Sequence, residues 1–162
     1  MTPIKVLFVC LGNICRSPLA EAIFKDKIRK KQLEPWFEVD SCGTSNYHID
    51  ESPDERTLAN AEKNGIKISH LGRQLSVRDL EYYDFILAMD RSNEQHILEM
   101  ASTSDFRHKV FLARHFDSKK IDSEVPDPYY GGERGFQEVF DILDRSTEGF
   151  MEYLIRERRV KV

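Results

Sequence analysis

The chain has 162 residues, 40% of them hydrophobic and 32% charged, with 24 Lys and Arg against 28 Asp and Glu for a net charge of −4. That length and balance suit one domain, residues 1–162, large enough to bury a core without staples, and they exclude a basic nucleic-acid face, since the cluster Arg156, Arg158, Arg159 and Lys161 reads as the solvated end of a helix. The longest apolar run, Val6 to Leu11, is too short for membrane insertion or a signal peptide, and three cysteines suit free thiols in a reducing compartment, so a cytoplasmic location is expected.

Ile4-Lys5-Val6-Leu7-Phe8-Val9 is β-branched, aromatic and nearly continuous, which predicts a buried strand of a parallel sheet over 4–9. Ser17-Pro18 predicts a helix start, serine as the N-cap and proline in the first turn, and Leu19, Ala20, Ile23, Phe24 and Ile28 recur at helical spacing. Further strands are expected near 37–41, 66–69 and 84–89, with a short segment at 109–112, and further helices near 53–64 and 92–101. Asp117 to Gly132 is a long irregular stretch holding Pro126, Pro128, Gly131 and Gly132, and loops of that length in compact domains tend to be functional. Phe136, Val139, Phe140, Leu143, Phe150, Met151 and Leu154 then predict a final helix. Strand and helix alternate, which points to an α/β fold: a parallel sheet with helices on both faces and ligands beyond the carboxyl ends of its strands.

Between the first strand and first helix stands Cys10-Leu11-Gly12-Asn13-Ile14-Cys15-Arg16-Ser17. A loop here can curl its backbone N–H groups around an anion at the positive end of a helix dipole. Gly12 allows positive φ and close approach, and Asn13 is the next most tolerant of a left-handed conformation. Amide dipoles, the helix terminus and Arg16 would favour a thiolate at Cys10. Arg16 offers a planar fork for two phosphoryl oxygens, and Ser17 can hydrogen-bond the sulfur. No G-x-x-x-x-G-K-[ST] or G-x-G-x-x-G motif is present, and Cys10, Cys15 and Cys42 lack zinc spacing, so neither a nucleotide cofactor nor a metal is expected.

Cleaving a phosphate ester through a thiophosphate needs a proton for the leaving oxygen. In Val125-Pro126-Asp127-Pro128-Tyr129-Tyr130-Gly131-Gly132, two prolines restrict the backbone around Asp127. Pro-Asp-Pro is also an ordinary turn, and it acquires chemical meaning only beside the cysteine loop.

Val9-Cys10-Leu11-Gly12-Asn13-Ile14-Cys15-Arg16-Ser17-Pro18-Leu19-Ala20-Glu21 resembles the phosphate-binding signature of the low-molecular-weight protein tyrosine phosphatases. The resemblance extends over nearly the whole chain through Asp40-Ser41, Gly65-Ile66, Ser69-His70, Arg73-Gln74, Met89-Asp90-Arg91-Ser92-Asn93 and Asp127-Pro128-Tyr129-Tyr130. It implies a flavodoxin-like three-layer fold with a four-stranded parallel sheet and no cofactor. Cys10 would attack phosphorus while Arg16 and the amides of 11–16 hold the oxygens, and Asp127 would act as acid and then base. Asn13, Ser41 and His70 would support the loop. Tyr47, Tyr129 and Tyr130 would wall a mouth suited to a phosphotyrosine-bearing protein or an aryl phosphate. Asp90 either pairs with the Arg16 neighbourhood or caps the helix near Ser92, and is left outside the catalytic set. Cys42, His48, His96, His108 and His115 receive no role.

Relatives of this fold with other chemistry remain as alternatives. Arsenate reductases of this type use further cysteines late in the chain, and none follows Cys42. Protein-arginine phosphatases tend to carry threonine where this chain has Ile14, and lack the Tyr129-Tyr130 pair. A phosphopeptide-binding module would be expected to lose the nucleophile or the acid, and both stand here. Cys15, a second thiol in the loop, is expected to form a disulfide with Cys10 under peroxide and spare it irreversible oxidation. A monomer is expected.

Overall fold

The computed structural model describes residues 2–101, 104–128, 132–157 and 159–160. Four strands form its sheet: β1 (Ile4–Cys10), β2 (Phe37–Gly43), β3 (Phe85–Ala88) and β4 (Val110–Leu112). They pair in the order β2-β1-β3-β4, all parallel, which is a flavodoxin-like α/β arrangement. The helices are α1 (Arg16–Lys30), α2 (Glu55–Lys63), α3 (Val77–Tyr82), α4 (Arg91–Met100) and α5 (Glu133–Arg156).

The continuous apolar run of β1 follows from burial on both faces. Val6, Phe8 and Cys10 point into a core completed by Leu19, Ile23 and Phe24 of α1 and by Leu143, Phe150 and Met151 of α5. Leu7 and Val9 point the other way, into a second core with Leu80 and Ile97. Cys10 therefore shares the period-2 register of Val6 and Phe8 and ends the strand beneath α1. Phe24 packs edge-on against Phe8 at 5.9 Å between ring centres and meets Phe150 at 5.4 Å, fastening α1 and α5 to the sheet.

Three sequence expectations are corrected. The segment 66–69 is not a strand. Gly65, at φ 78°, closes the end of α2, and the chain then continues without regular structure, Ile66 and Ile68 packed onto the first core instead of laddered to a neighbour. It meets the sheet only later, at a single bridge between Gly43 and Gln74, and the fourth strand is 110–112. Helix α1 begins at Arg16 with Cys15 as N-cap, so Ser17 lies inside the first turn and its hydroxyl turns to the loop instead of capping. The left-handed residue of the loop is Asn13, at φ 57°, while Gly12 does not take a positive φ. What Gly12 supplies is space, because a Cβ there would approach the His48 ring to 3.0 Å. Helix α3, held by a capping box between Ser76 and Asp79, is too short to show a period in sequence.

Strand β1 is flanked by β2 on one side and β3 on the other, so the connections leaving the sheet diverge at its carboxyl end. The loop 10–17 lies in that crevice.

Candidate active site

The loop is shaped from inside by one side chain. Asn13 donates through Nδ2 to Ser17 Oγ at 2.8 Å and to Ser41 Oγ at 3.1 Å. Its Oδ1 accepts from His70 Nε2 at 2.7 Å and from the Arg73 backbone N–H at 3.0 Å. Both donors and both lone pairs of the amide are engaged. Asn13 donates into the Ser17 oxygen, whose own hydroxyl proton faces Cys10 Sγ at 3.0 Å and the Cys42 carbonyl at 3.3 Å, and the Asn13 backbone N–H reaches the same sulfur at 3.3 Å.

A further layer holds Asn13's partners. Ser41 donates to Glu21 Oε1 at 2.6 Å, and Lys25 donates to Glu21 Oε2 at the same distance. Arg73 bridges Asp40 and Asp79. Glu21, Asp40 and His70 bring ligand-type atoms within 4.8 Å of one another, but their carboxylates already accept from Ser41, Lys25 and Arg73. Gly43 at the end of β2 lets the two segments meet, because a Cβ there would sit 2.7 Å from the Leu11 carbonyl oxygen.

Arg16 is buried, and its NH1 donates to Asp90 Oδ2 at 2.7 Å and to the Val125 carbonyl at 3.0 Å. NH2 lies 3.6 Å from Asp127 Oδ2. Burial alone would lower the basicity of the guanidinium, but Cys10, Asp90 and Asp127 outweigh it and raise its pKa. Asp90 also accepts from the Asn93 N–H at 2.8 Å as the N-cap of α4, so the two sequence alternatives for this residue both hold. The Val125 N–H binds the Met89 carbonyl at 2.8 Å, which seats the acid loop on the end of β3.

Cys10, Leu11, Gly12, Ile14, Cys15, Arg16, Tyr47, His48 and Asp127 line one cavity of about 270 Å³. The structure thus brings together Cys10, Arg16, Asp127 and Tyr47, and places Ser41 and His70 behind the loop. Tyr129 and Tyr130 lie outside the described residues. Burial, opposed by Thr57 and aided by Asp54, Cys10 and Asp127, pushes the Cys15 thiol up to about 12, so it stays neutral. Cys42, fully buried, is raised well above its ordinary range for the same reason. His48, given no role from sequence, covers Gly12 and pairs through Nδ1 with Glu51 Oε2 at 3.2 Å. Its signal, a histidine beside Tyr47 in a polar loop, had nothing in sequence to tie it to the cysteine.

Residues 5–160 match the family described as low molecular weight phosphotyrosine protein phosphatase. The chain belongs to this family of hydrolases. The phosphatase of that name from Schizosaccharomyces pombe is 45% identical over 150 residues, 92% of this chain and 96% of the relative. The crystal structure of a protein tyrosine phosphatase from Entamoeba histolytica, with Hepes in its active site, superposes with a TM-score of 0.91 at 37% identity, covering 96% and 99% of the two chains. A Drosophila arginine phosphatase of the same fold gives a TM-score of 0.86 at 36% identity, covering 93% and 97%. Solved structures of this fold thus include enzymes named for phosphotyrosine and for phosphoarginine.

Proposed function

We propose that this phosphatase hydrolyses phosphotyrosine, on proteins or as small aryl phosphates, through a phosphocysteine. In the first step the Cys10 thiolate attacks phosphorus, the bond to the phenolic oxygen breaks, and protonated Asp127 gives its proton to that oxygen. In the second, water attacks phosphorus, Asp127 takes the water's proton, and the S–P bond breaks to release inorganic phosphate and the thiolate. NH1 of Arg16 is committed to Asp90 and Val125, so its remaining edge, Nε and NH2, is the fork that holds two phosphoryl oxygens beside the loop amides of 11–16. Ser17 stabilises the departing sulfur. The observation that carries this reading is the single cavity that unites Cys10, Arg16 and Asp127 with the apolar wall of Ile14 and Tyr47. An aromatic ring gains from that wall what a phosphoserine methylene does not.

Phosphoarginine is the competing substrate, favoured by the likeness to the Drosophila arginine phosphatase. Ile14 opposes it, since a guanidinium in contact with an aliphatic wall leaves its N–H donors unpaired. The enzyme needs no cofactor in this scheme, and we take it to act as a monomer in the cytoplasm, where its three free cysteines are kept reduced. Under peroxide, Cys10 sulfenic acid and the Cys15 thiol condense to a disulfide and water.

The test is kcat/KM on matched phosphotyrosine, phosphoserine and phosphoarginine peptides and on arsenate with a thiol reductant. Phosphotyrosine should dominate, and Asp127→Ala should slow it by about 10²–10⁴. Preference for phosphoarginine or arsenate overturns the assignment, and inactivity on all four, with retained phosphopeptide binding, makes the protein a binding module.

A further inference from the structure

We infer that the substrate is a polypeptide carrying an apolar residue two positions from its phosphotyrosine, and that this flanking side chain docks on a rim formed by Leu11, Tyr47, Ile49 and Leu71. The inference rests on the phosphotyrosine reading of the site. Scattered exposed apolar side chains are ordinary. These four are not scattered: Leu11 is 44% exposed, Tyr47 70%, Ile49 48% and Leu71 57%, and they stand on three segments hydrogen-bonded to one another, of which Leu11 and Tyr47 reach the cavity. Both the N–H and the hydroxyl of Ser45 bind the Leu11 carbonyl at 3.0 Å. The Asp50 N–H binds the Gly72 carbonyl at 2.8 Å, and the Gly72 N–H binds the Glu51 carbonyl at 2.9 Å. A Cβ on Gly72 would lie 2.2 Å from the His48 carbonyl oxygen, so glycine is what lets the segment bearing Leu71 close on the one bearing Ile49.

Leu11 and Tyr47 line the cavity as well as the rim, which makes the apolar surface continuous with the phosphate site. A phosphotyrosine that fills the cavity leaves its main chain at the mouth. Side chains alternate along an extended peptide that advances about 3.3 Å per residue, so the residue two positions from the phosphotyrosine shares its face and meets the rim. A free aryl phosphate would leave it bare. The charge around the patch selects among neighbours: Asp50 and Glu51 are exposed beside Ile49, and they repel an acidic flanking residue while leaving an apolar one unaffected.

The experiment compares three substrates: a phosphotyrosine peptide with leucine two positions to either side of it, the same peptide with glutamate at those positions, and p-nitrophenyl phosphate. The enzymes are wild type and the Ile49→Ser, Leu71→Ser double variant, whose changes lie outside the cavity lining. Wild type should favour the leucine peptide about tenfold, and the double variant should lose about that factor on it through KM, with p-nitrophenyl phosphate turnover unchanged. Equal losses on all three substrates would make the patch structural, and no loss on any would leave the rim without a docking role. Preference for the glutamate peptide overturns the inference. So does self-association of wild type that the double variant abolishes, which would make a second copy the occupant. Wild type inactive on p-nitrophenyl phosphate and on both peptides overturns instead the phosphatase reading beneath it.

Discussion

Asp90 Oδ2 accepts from Arg16 NH1 at 2.7 Å, and the same nitrogen donates to the Val125 carbonyl two residues before Asp127. One buried guanidinium thus fixes its own fork against the end of β3 and ties down the loop that carries the proposed acid. Removing Asp90 frees the fork and leaves the cation short of a charged hydrogen bond worth about 1.5–3 kcal/mol. Asp90→Ala should lower kcat/KM on phosphotyrosine by about 10–100-fold, with the inhibition constant for phosphate raised in step. Steady-state kinetics with inorganic phosphate as inhibitor measures both.

Asn13 is saturated by four hydrogen bonds and sits at φ 57°. Asn13→Ala puts a residue without asparagine's tolerance of the left-handed region at that position, at up to about 1–2 kcal/mol, and leaves the oxygens of Ser17 and Ser41 and the donors of His70 and Arg73 without their partner. Urea denaturation should show lost stability, and turnover should fall more than stability does, because the loop loses its anion-binding shape. Wild-type activity in a destabilised Asn13→Ala would mean that the network supports only the fold.

The Cys15 thiol is pushed up to about 12, chiefly by burial. Its attack on an oxidised Cys10 needs the thiolate, and the thiolate fraction rises tenfold per pH unit below that value. Closure of the proposed disulfide after a peroxide pulse should therefore quicken as pH rises from 6 to 9, followed by loss of free thiol. After peroxide and then thiol, the parent should regain activity and Cys15→Ser should not. Equal recovery would remove Cys15 from redox protection.

Two aspartates predict the acid limb of stability. Asp54 caps α2, and its hydrogen bonds with Arg56 hold its carboxyl below the ordinary 3.8. Burial would raise Asp117, but bonds from Arg145, the Lys119 N–H and Arg114 outweigh it and the carboxyl is lowered. A lowered folded-state pKa stabilises the fold above the unfolded value, and that stability is lost as pH falls through 3.8 toward the folded value. Thermal unfolding should weaken in that window. Asp117→Asn, which leaves Arg114 buried without its charge partner, should cost about 3–5 kcal/mol at neutral pH and flatten the acid limb.

Much of this architecture was legible in the sequence because it is written locally. The β1 run, the loop from Cys10 to Ser17 and the prolines around Asp127 each carry a signal within ten residues. The strand expected at 66–69 failed because Ile66 and Ile68 alternate for a different reason, packing on a core instead of joining a ladder. Both roles of Asp90 were named from sequence as alternatives, but that they hold together was not legible, because the capping signal is local while its partner Arg16 is 74 residues away. His48 and Glu51 likewise gain meaning only when the loop they share folds over Gly12. Long-range polar partners leave no periodic trace, and only the assembled crevice reveals them.

The central claim is the covalent step at Cys10, and acid-quenched mass spectrometry of Asp127→Ala during turnover of p-nitrophenyl phosphate tests it most directly. That substrate needs little help from an acid in the first step, whereas the second step lacks its base, so the intermediate should accumulate. The account predicts one added phosphoryl group, mapped to Cys10 and absent when Cys10 is replaced by alanine in the same background. Sustained turnover with no adduct, or an adduct on any other residue, would contradict it.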